Sequence, residues 1–226
     1  MSHGNITVSS YLMGDFDGDG KRDIGAFSAD RNSLYITRNA STPGNPQTGA
    51  GGLHSSGWST VDKTMTLDWD GDGKDDILGR NGDHLFLWRS TSTGAAFSFA
   101  GYQVLSAGNA TVSSYLMGDF DGNGKPDVGA FSWDRDSFYI TRNTSTPGNP
   151  SLGAGGLHSS GWASRDHVMT TDWDGDGKDD ILCRSGDLFY VFRSTSTGAT
   201  FSFANPVPPN SGNATVTSYL LIAASR

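Results

Sequence analysis

Cysteine is all but missing from this chain: Cys183 is the single one in 226 residues, so no intrachain disulfide can form and no CxxC or Cys/His zinc spacing exists. No apolar run approaches the ~20 residues that a membrane helix needs, and no membrane insertion is expected. Basic residues are outnumbered, 16 Lys and Arg against 24 acidic residues, and they form no stripe that could neutralise phosphates, which argues against a nucleic-acid partner. The start, MSHGNITVSS, lacks the basic-then-apolar plan of a signal peptide. That leaves an intracellular chain or a mature form whose leader has been removed. Strong helix formers such as Glu and Leu are sparse, and no segment carries an apolar stripe of 3.6-residue period. GxSxG, HExxH and a Cys with a suggestive His are all missing, so no catalytic constellation stands out and the chain reads as a non-enzyme.

What is present is glycine, 31 residues of it, among Ser, Thr, Asn and aromatics. This is the composition of short strands joined by tight turns. Apolar residues make up 35% of the chain, little for one compact core but enough for thin repeated layers. The repetition is explicit. Asn5–Gly14 reads NITVSSYLMG and Asn109–Gly118 reads NATVSSYLMG, and STPGNP, GAGGLHSSGW, DWDGDGKDDIL and RSTSTG recur at the same offset. The chain is a tandem duplication, and each half divides again, because Asp clusters begin at Asp15, Asp68, Asp119 and Asp172. A unit of about 52 residues is the size of a four-stranded propeller blade.

The pattern predicts strands near residues 10–14, 24–28, 34–38 and 53–58 in the first unit, and 64–69, 77–80, 84–89 and 96–105 in the second. The expected fold is therefore all-β, a β-propeller of four-stranded blades at about 5–58, 59–108, 109–162 and 163–212, with 213–226 a surplus copy of the first strand. A β-sandwich is the main alternative, and it does not account for the period. Four blades is few for a propeller, so a homodimer closing a larger ring is also expected.

The four Asp loops share one pattern. Oxygen donors stand at positions 1, 3 and 5: Asp15, Asp17, Asp19; Asp68, Asp70, Asp72; Asp119, Asp121, Asn123; Asp172, Asp174, Asp176. Gly follows at position 6, as at the start of a calcium-binding EF-hand loop. The backbone carbonyls of Lys21, Lys74, Lys125 and Lys178 and the carboxylates of Asp23, Asp76, Asp127 and Asp180 would complete each set. A strand follows in place of a helix and no Glu stands at position 12, so these are not EF-hands. Hard oxygen donors in a flexible loop favour Ca²⁺. Four such ions would cancel the formal net charge of −8. Asn123 removes one charge, which makes the third site the weakest if charge decides. The aromatic at position 2 (Phe16, Trp69, Phe120, Trp173) alternates with the ligands and should point into the packing between blades.

DFDGDGKRDIGAF and DWDGDGKDDIL resemble the FG-GAP/VCBS repeats of integrin α-subunit propellers and of many secreted proteins. The resemblance covers essentially the whole chain. It implies a β-propeller with calcium between adjacent strands of a blade, in a family of adhesion receptors, lectins and accessory modules that usually has six to eight blades.

Binding is the expected activity. The face opposite the calcium loops should collect Asp30, Arg31, Arg80 and Trp58 with their duplicates Asp134, Arg135, Arg184 and Trp162, together with Trp133 and the paired His54 and His158. Indole planes beside Arg, Asp and His suit a carbohydrate or glycoconjugate. For Trp58 and Trp162, inter-blade packing is an equal reading. Arg38, Arg89, Arg142 and Arg193 close third strands and would pair with acidic loops. The sequence points to a multivalent, calcium-stabilised lectin or adhesion module, secreted because weak loop sites need extracellular calcium. A non-catalytic structural or protein-interaction module of a larger secreted or toxin protein is the competing class.

Overall fold

The computed structural model describes residues 8–206, apart from residues 56, 62, 95, 108–111, 133, 135, 159, 187 and 199, and gives backbone only at residues 53–55, 106–107, 157–158 and 166. The described residues form an all-β protein of the propeller class, with four antiparallel sheets and no helix. None of it could cross a membrane as an apolar helix. Trp133, Arg135, the side chains of His54 and His158, and the expected surplus strand lie outside these residues.

The chain divides into two compact units, residues 1–108 with Thr146–Pro150, and residues 109–145 with 151–226. In the first, β1 (Val8–Gly14), β2 (Asp23–Ser28), β3 (Ser33–Asn39) and β4 (Thr48–Ser55) form one meander, and β5 (Lys63–Leu67), β6 (Asp76–Asn81), β7 (His84–Trp88) and β8 (Gln103–Ala107) form another. The second has β9 (Val112–Gly118), β10 (Asp127–Ser132), β11 (Phe138–Asn143) and β12 (Leu152–His158). Its other sheet has β13 (Asp166–Thr171), β14 (Asp180–Ser185) and β15 (Leu188–Phe192) among the described residues. Each Asp loop is the hairpin between the first two strands of a sheet, so Gly14 pairs Asp23 and Gly118 pairs Asp127.

The first three strands of each sheet fall where alternation places them, and the fourth does not. β4 starts at Thr48 and ends before Trp58, while β8 starts only at Gln103. β4 is TGAGGLHS, almost without β-formers, but its glycines allow close pairing: a Cβ on Gly51 would lie 2.8 Å from Ile36 O. Residues 96–99 instead close a small turn on Thr93 and Ser90 before β8 begins.

Each unit has its own core. Leu12, Phe16, Phe27, Leu34, Ile36, Trp58, Ile77 and Trp88 fill the first, and Leu116, Phe120, Phe131, Phe138, Ile140, Trp162 and Ile181 the second. Within a unit the first strands of its two sheets lie together, and Thr66 Oγ1 donates to Met13 O as Thr170 Oγ1 does to Met117 O. Gly129 faces the buried Phe138 ring so closely that an added Cβ would sit 2.4 Å from it. Gly129→Ala is therefore expected to destabilise the second unit by at least about 1–3 kcal/mol through overpacking, measured by urea denaturation.

Candidate functional site

The Asp loops share one architecture. The position-1 carboxylate is wrapped by its own turn: Asp15 accepts from Gly18 N (2.9 Å), Asp19 N (3.0 Å) and Gly20 N (2.8 Å), and Asp68 and Asp119 do the same. Asp172 keeps the two glycine bonds. The turn needs left-handed backbone at positions 4 and 6, as in Gly18 (φ 76) and Gly20 (φ 84), which only glycine adopts freely. Sequence reading gave a conformational role to position 6 alone.

Position 9 holds the hairpin shut. Asp23 accepts from Phe16 N (3.2 Å) and Asn39 N (2.9 Å), and Asp76 from Trp69 N (3.1 Å) and Ser90 N (2.7 Å). Asp127 accepts from Phe120 N (3.1 Å) and Asn143 N (2.8 Å), and Asp180 from Trp173 N (3.1 Å) and Ser194 N (2.7 Å). One oxygen takes the loop and the other takes the residue after the third strand, so the acid clasps three parts of a sheet. The recurring Arg-Asn and Arg-Ser pairs (38–39, 89–90, 142–143, 193–194) were the overlooked signal for its far partner.

At position 3, Asp17 pairs with Arg38 Nε (2.5 Å), Asp121 with Arg142, Asp70 with Arg89 (3.9 Å) and Asp174 with Arg193 (3.6 Å). The third-strand arginines thus meet the acidic loops as expected. At position 5, Asp19, Asp72 and Asp176 each bond their lysine's backbone N–H and its ammonium. Carboxylate oxygens converge within 4.8 Å of one another in every loop: Asp15, Asp17 and Asp19; Asp68, Asp70 and Asp76; Asp119, Asp121 and Asp127; Asp172, Asp174 and Asp176. Positions 1 and 3 are common to all four sets, and position 5 or 9 supplies the third member.

The acids repel and are poorly hydrated. Burial is the chief cause that pushes Asp76 up to about 8, opposed by the Ser90 N–H and reinforced by the charges of Asp70 and Asp72. Burial likewise lifts Asp127 to about 7 and Asp23 to about 6, and raises Asp68, Asp119 and Asp180. Asp17 Oδ1 is buried with no hydrogen-bond donor. Crowded carboxylates, one with an orphaned oxygen, suit a hard divalent cation.

The loops of a unit are bonded to each other. Asp15 N donates to Asp75 Oδ2 (2.9 Å) and Asp75 N to Asp15 O (2.7 Å); Asp119 and Asp179 repeat the exchange at 2.8 and 2.7 Å. Ser90 Oγ and Ser194 Oγ donate to the carbonyls of Phe16 and Phe120. The Lys-Asp-Asp ending, found only in the second loop of each unit, marks these bridging acids in the sequence.

Of the residues expected to bind a ligand, those among the described residues are mostly packed or tied into their own turns. Trp58 is fully buried, stacked on Trp88 at 4.3 Å and packed edge-on to Phe27. Asp30 and Asp134 are exposed but cap their own turns, bonded to Ser28 Oγ and Asn32 N and to Ser132 Oγ and Asp136 N. The Ser28 and Ser132 hydroxyls hold both below the usual carboxylate range. Arg31 reaches Ser10 Oγ over the Phe27 ring, and Arg80 bonds Gly82 O. Trp162 is also nearly buried, but it lines a cavity of about 260 Å³ with Ser160, Arg165, Phe192, Phe203 and Asn205. Asp136 anchors the lip through Gly161 N (2.9 Å), and the Arg165 guanidinium lies 4.3 Å over the Tyr190 ring. In the first unit Val61 stands at the position of Arg165 and Trp88 at that of Phe192, and their side chains crowd the equivalent space. The sequence reading missed Arg165, whose signal was this break in the repeat.

Residues 68–130 match the FG-GAP-like repeat family. A search of curated protein sequences gave no significant match. Among solved structures, an Agrocybe aegerita lectin that recognises non-reducing terminal N-acetylglucosamine superposes with a TM-score of 0.67 at 19% identity, over 87% of this chain and 50% of the lectin. The exotype rhamnogalacturonan lyase YesX gives a TM-score of 0.47 at 14% identity (81% of this chain, 39% of the lyase). Rhamnogalacturonan lyase YesW gives 0.47 at 16% (88% and 49%). The chain spans half or less of the length of each neighbour. The matched stretch contains two of the four Asp loops, and the other two loops repeat their build.

Proposed function

We propose that this chain is a calcium-stabilised, non-catalytic carbohydrate-binding module, secreted to where calcium is plentiful, that takes a terminal sugar in the Trp162 cavity. The observation that carries the reading is the cavity itself: aromatic walls from Trp162, Phe192 and Phe203 with polar groups from Ser160, Arg165 and Asn205. Sugars are bound by this combination, the ring's C–H face on an aromatic plane and its hydroxyls on polar groups. At about 260 Å³ the space is below the ~300 Å³ at which drug-sized sites begin, which suits one sugar residue. The fold shared with a lectin for non-reducing terminal N-acetylglucosamine makes that sugar the first to try.

In the loops, Ca²⁺ would be held by the acids at positions 1 and 3 with position 5 or 9, and it would neutralise the crowded carboxylates. The ion's role is to fix the hairpins and, through them, the packing.

The test is a glycan array on the purified chain, with calcium and after chelation, beside the variant Arg165→Val. That change installs the residue which the first unit already tolerates at this place. A coherent set of bound glycans, lost in Arg165→Val with a melt within a few degrees of wild type, is the expected result. Uniform absence of binding by folded protein would turn the reading to a protein-interaction module, and turnover of a bound glycan would make it an enzyme.

A further inference from the structure

The duplication sets the same residues in two environments. In the first unit, the loop Thr146–Pro150 lies over the second Asp loop: Gly148 N donates to Asp70 Oδ2 at 2.8 Å, and Gln103 Nε2 donates to Pro150 O at 3.4 Å. Trp69 is 0% exposed there, and so is the side chain of Asp70. One period later Trp173 is 53% exposed, the Asp174 side chain 31%, and that of Arg193 55% where Arg89 has 24%. Three position-2 aromatics are buried as the sequence predicts, and Trp173 is the exception.

The piece that would cover Trp173 by the same register exists elsewhere in the chain. Ser41–Pro46 has the sequence of Ser145–Pro150, STPGNP. It has the same shape, with Thr42 and Asn45 exchanging two backbone bonds (2.8 and 3.1 Å) as Thr146 and Asn149 do (2.7 and 3.2 Å). Gly44 has φ 76 and Gly148 φ 80. The Thr42–Pro46 loop is exposed. On the same sheet Tyr11, Met13 and Ile24 are exposed as well, whereas Val128, the duplicate of Ile24, is 4% exposed, and Tyr115 and Met117 are half-buried. Exposed Trp and Arg at one place and exposed Tyr and Met at another are residues in which interface cores are rich.

We propose that two copies of this chain pair reciprocally, the Thr42–Pro46 loop of each seated on Trp173 and Asp174 of the other. Gly44 N then plays toward Asp174 the part that Gly148 N plays toward Asp70. Each copy offers one loop and one receptor, so a two-fold axis satisfies both at once.

Light scattering on the full calcium-loaded chain at tens of micromolar is expected to give about twice the 23.9 kDa of one copy. Trp173→Glu should halve that mass and leave the melt near wild type, because the side chain is exposed. Pro43→Asp, on the opposite side of the contact, should do the same by setting a carboxylate against Asp174. Trp69→Glu, at the buried duplicate, should unfold the first unit. A monomeric wild type, a dimer that survives both Trp173→Glu and Pro43→Asp, or an open ladder of larger species would overturn the reciprocal pair.

Discussion

Stripping calcium should lower the melting temperature of this chain by about 20–40 °C, and the two loops of a unit should release their ions together. A site with a dissociation constant near the ~10⁻⁴ M of extracellular modules, held at a hundred times that calcium concentration, adds about 2.7 kcal/mol. Two loops add about 5 kcal/mol to a unit of roughly a hundred residues, in which each kcal/mol moves the midpoint by about 4–8 °C. The reason for expecting so much is electrostatic. Without the ion, Asp68, Asp70 and Asp76 face one another with Arg89 no nearer than 3.9 Å. Coupling follows from the bonds of Asp15 with Asp75 and of Asp119 with Asp179, since fixing one hairpin fixes its neighbour's backbone. Scanning calorimetry across a calcium titration, with a Hill coefficient between one and two, is the check. A loss of under about 3 °C on chelation would mean that the arginines alone hold the loops.

The second large effect concerns one carboxylate. Asp76→Ala is expected to cost the first unit about 3–5 kcal/mol even with chelator, and more with calcium, where the ion's share is lost as well. Asp76 is fully buried and accepts from Trp69 N and Ser90 N. Its removal leaves both N–H groups without an acceptor, at about 1–3 kcal/mol each, beside a small void. A residue that served only as a ligand would lose its effect once calcium is gone, and urea denaturation under both conditions separates the two roles. A cost that persists with chelator establishes the clasp; a cost seen only with calcium would return Asp76 to the ligand set alone.

Much of this architecture was legible because it is periodic. The Asp loops, the hairpins they close and the first three strands of each sheet announce themselves through spacing, glycine and alternation. The fourth strands were misplaced because β4 has little β-propensity and is set by partnership with β3, which a local pattern does not carry. Trp58 read equally as a binding indole or a packing one, and burial against Trp88 decides for packing. The Trp162 cavity depends on Arg165 and Phe192 replacing Val61 and Trp88, a pair of differences hidden within a duplication otherwise read for its likeness. The split of the carboxylate sets, with position 9 in two loops and position 5 in the others, depends on side-chain placement that spacing leaves open.

The clasp also bears on how such a chain can diverge. Asp23, Asp76, Asp127 and Asp180 hold their hairpins through main-chain N–H groups alone, which every residue but proline supplies. Phe gives way to Trp at position 2 and Asn to Ser after the third strand, both together in the second loop of each unit, and the clasp is the same in all four. A copy made by duplication is free to drift at the very places where neighbouring repeats and ligands are met. The fold is inherited through the backbone, and the surface is left open to selection.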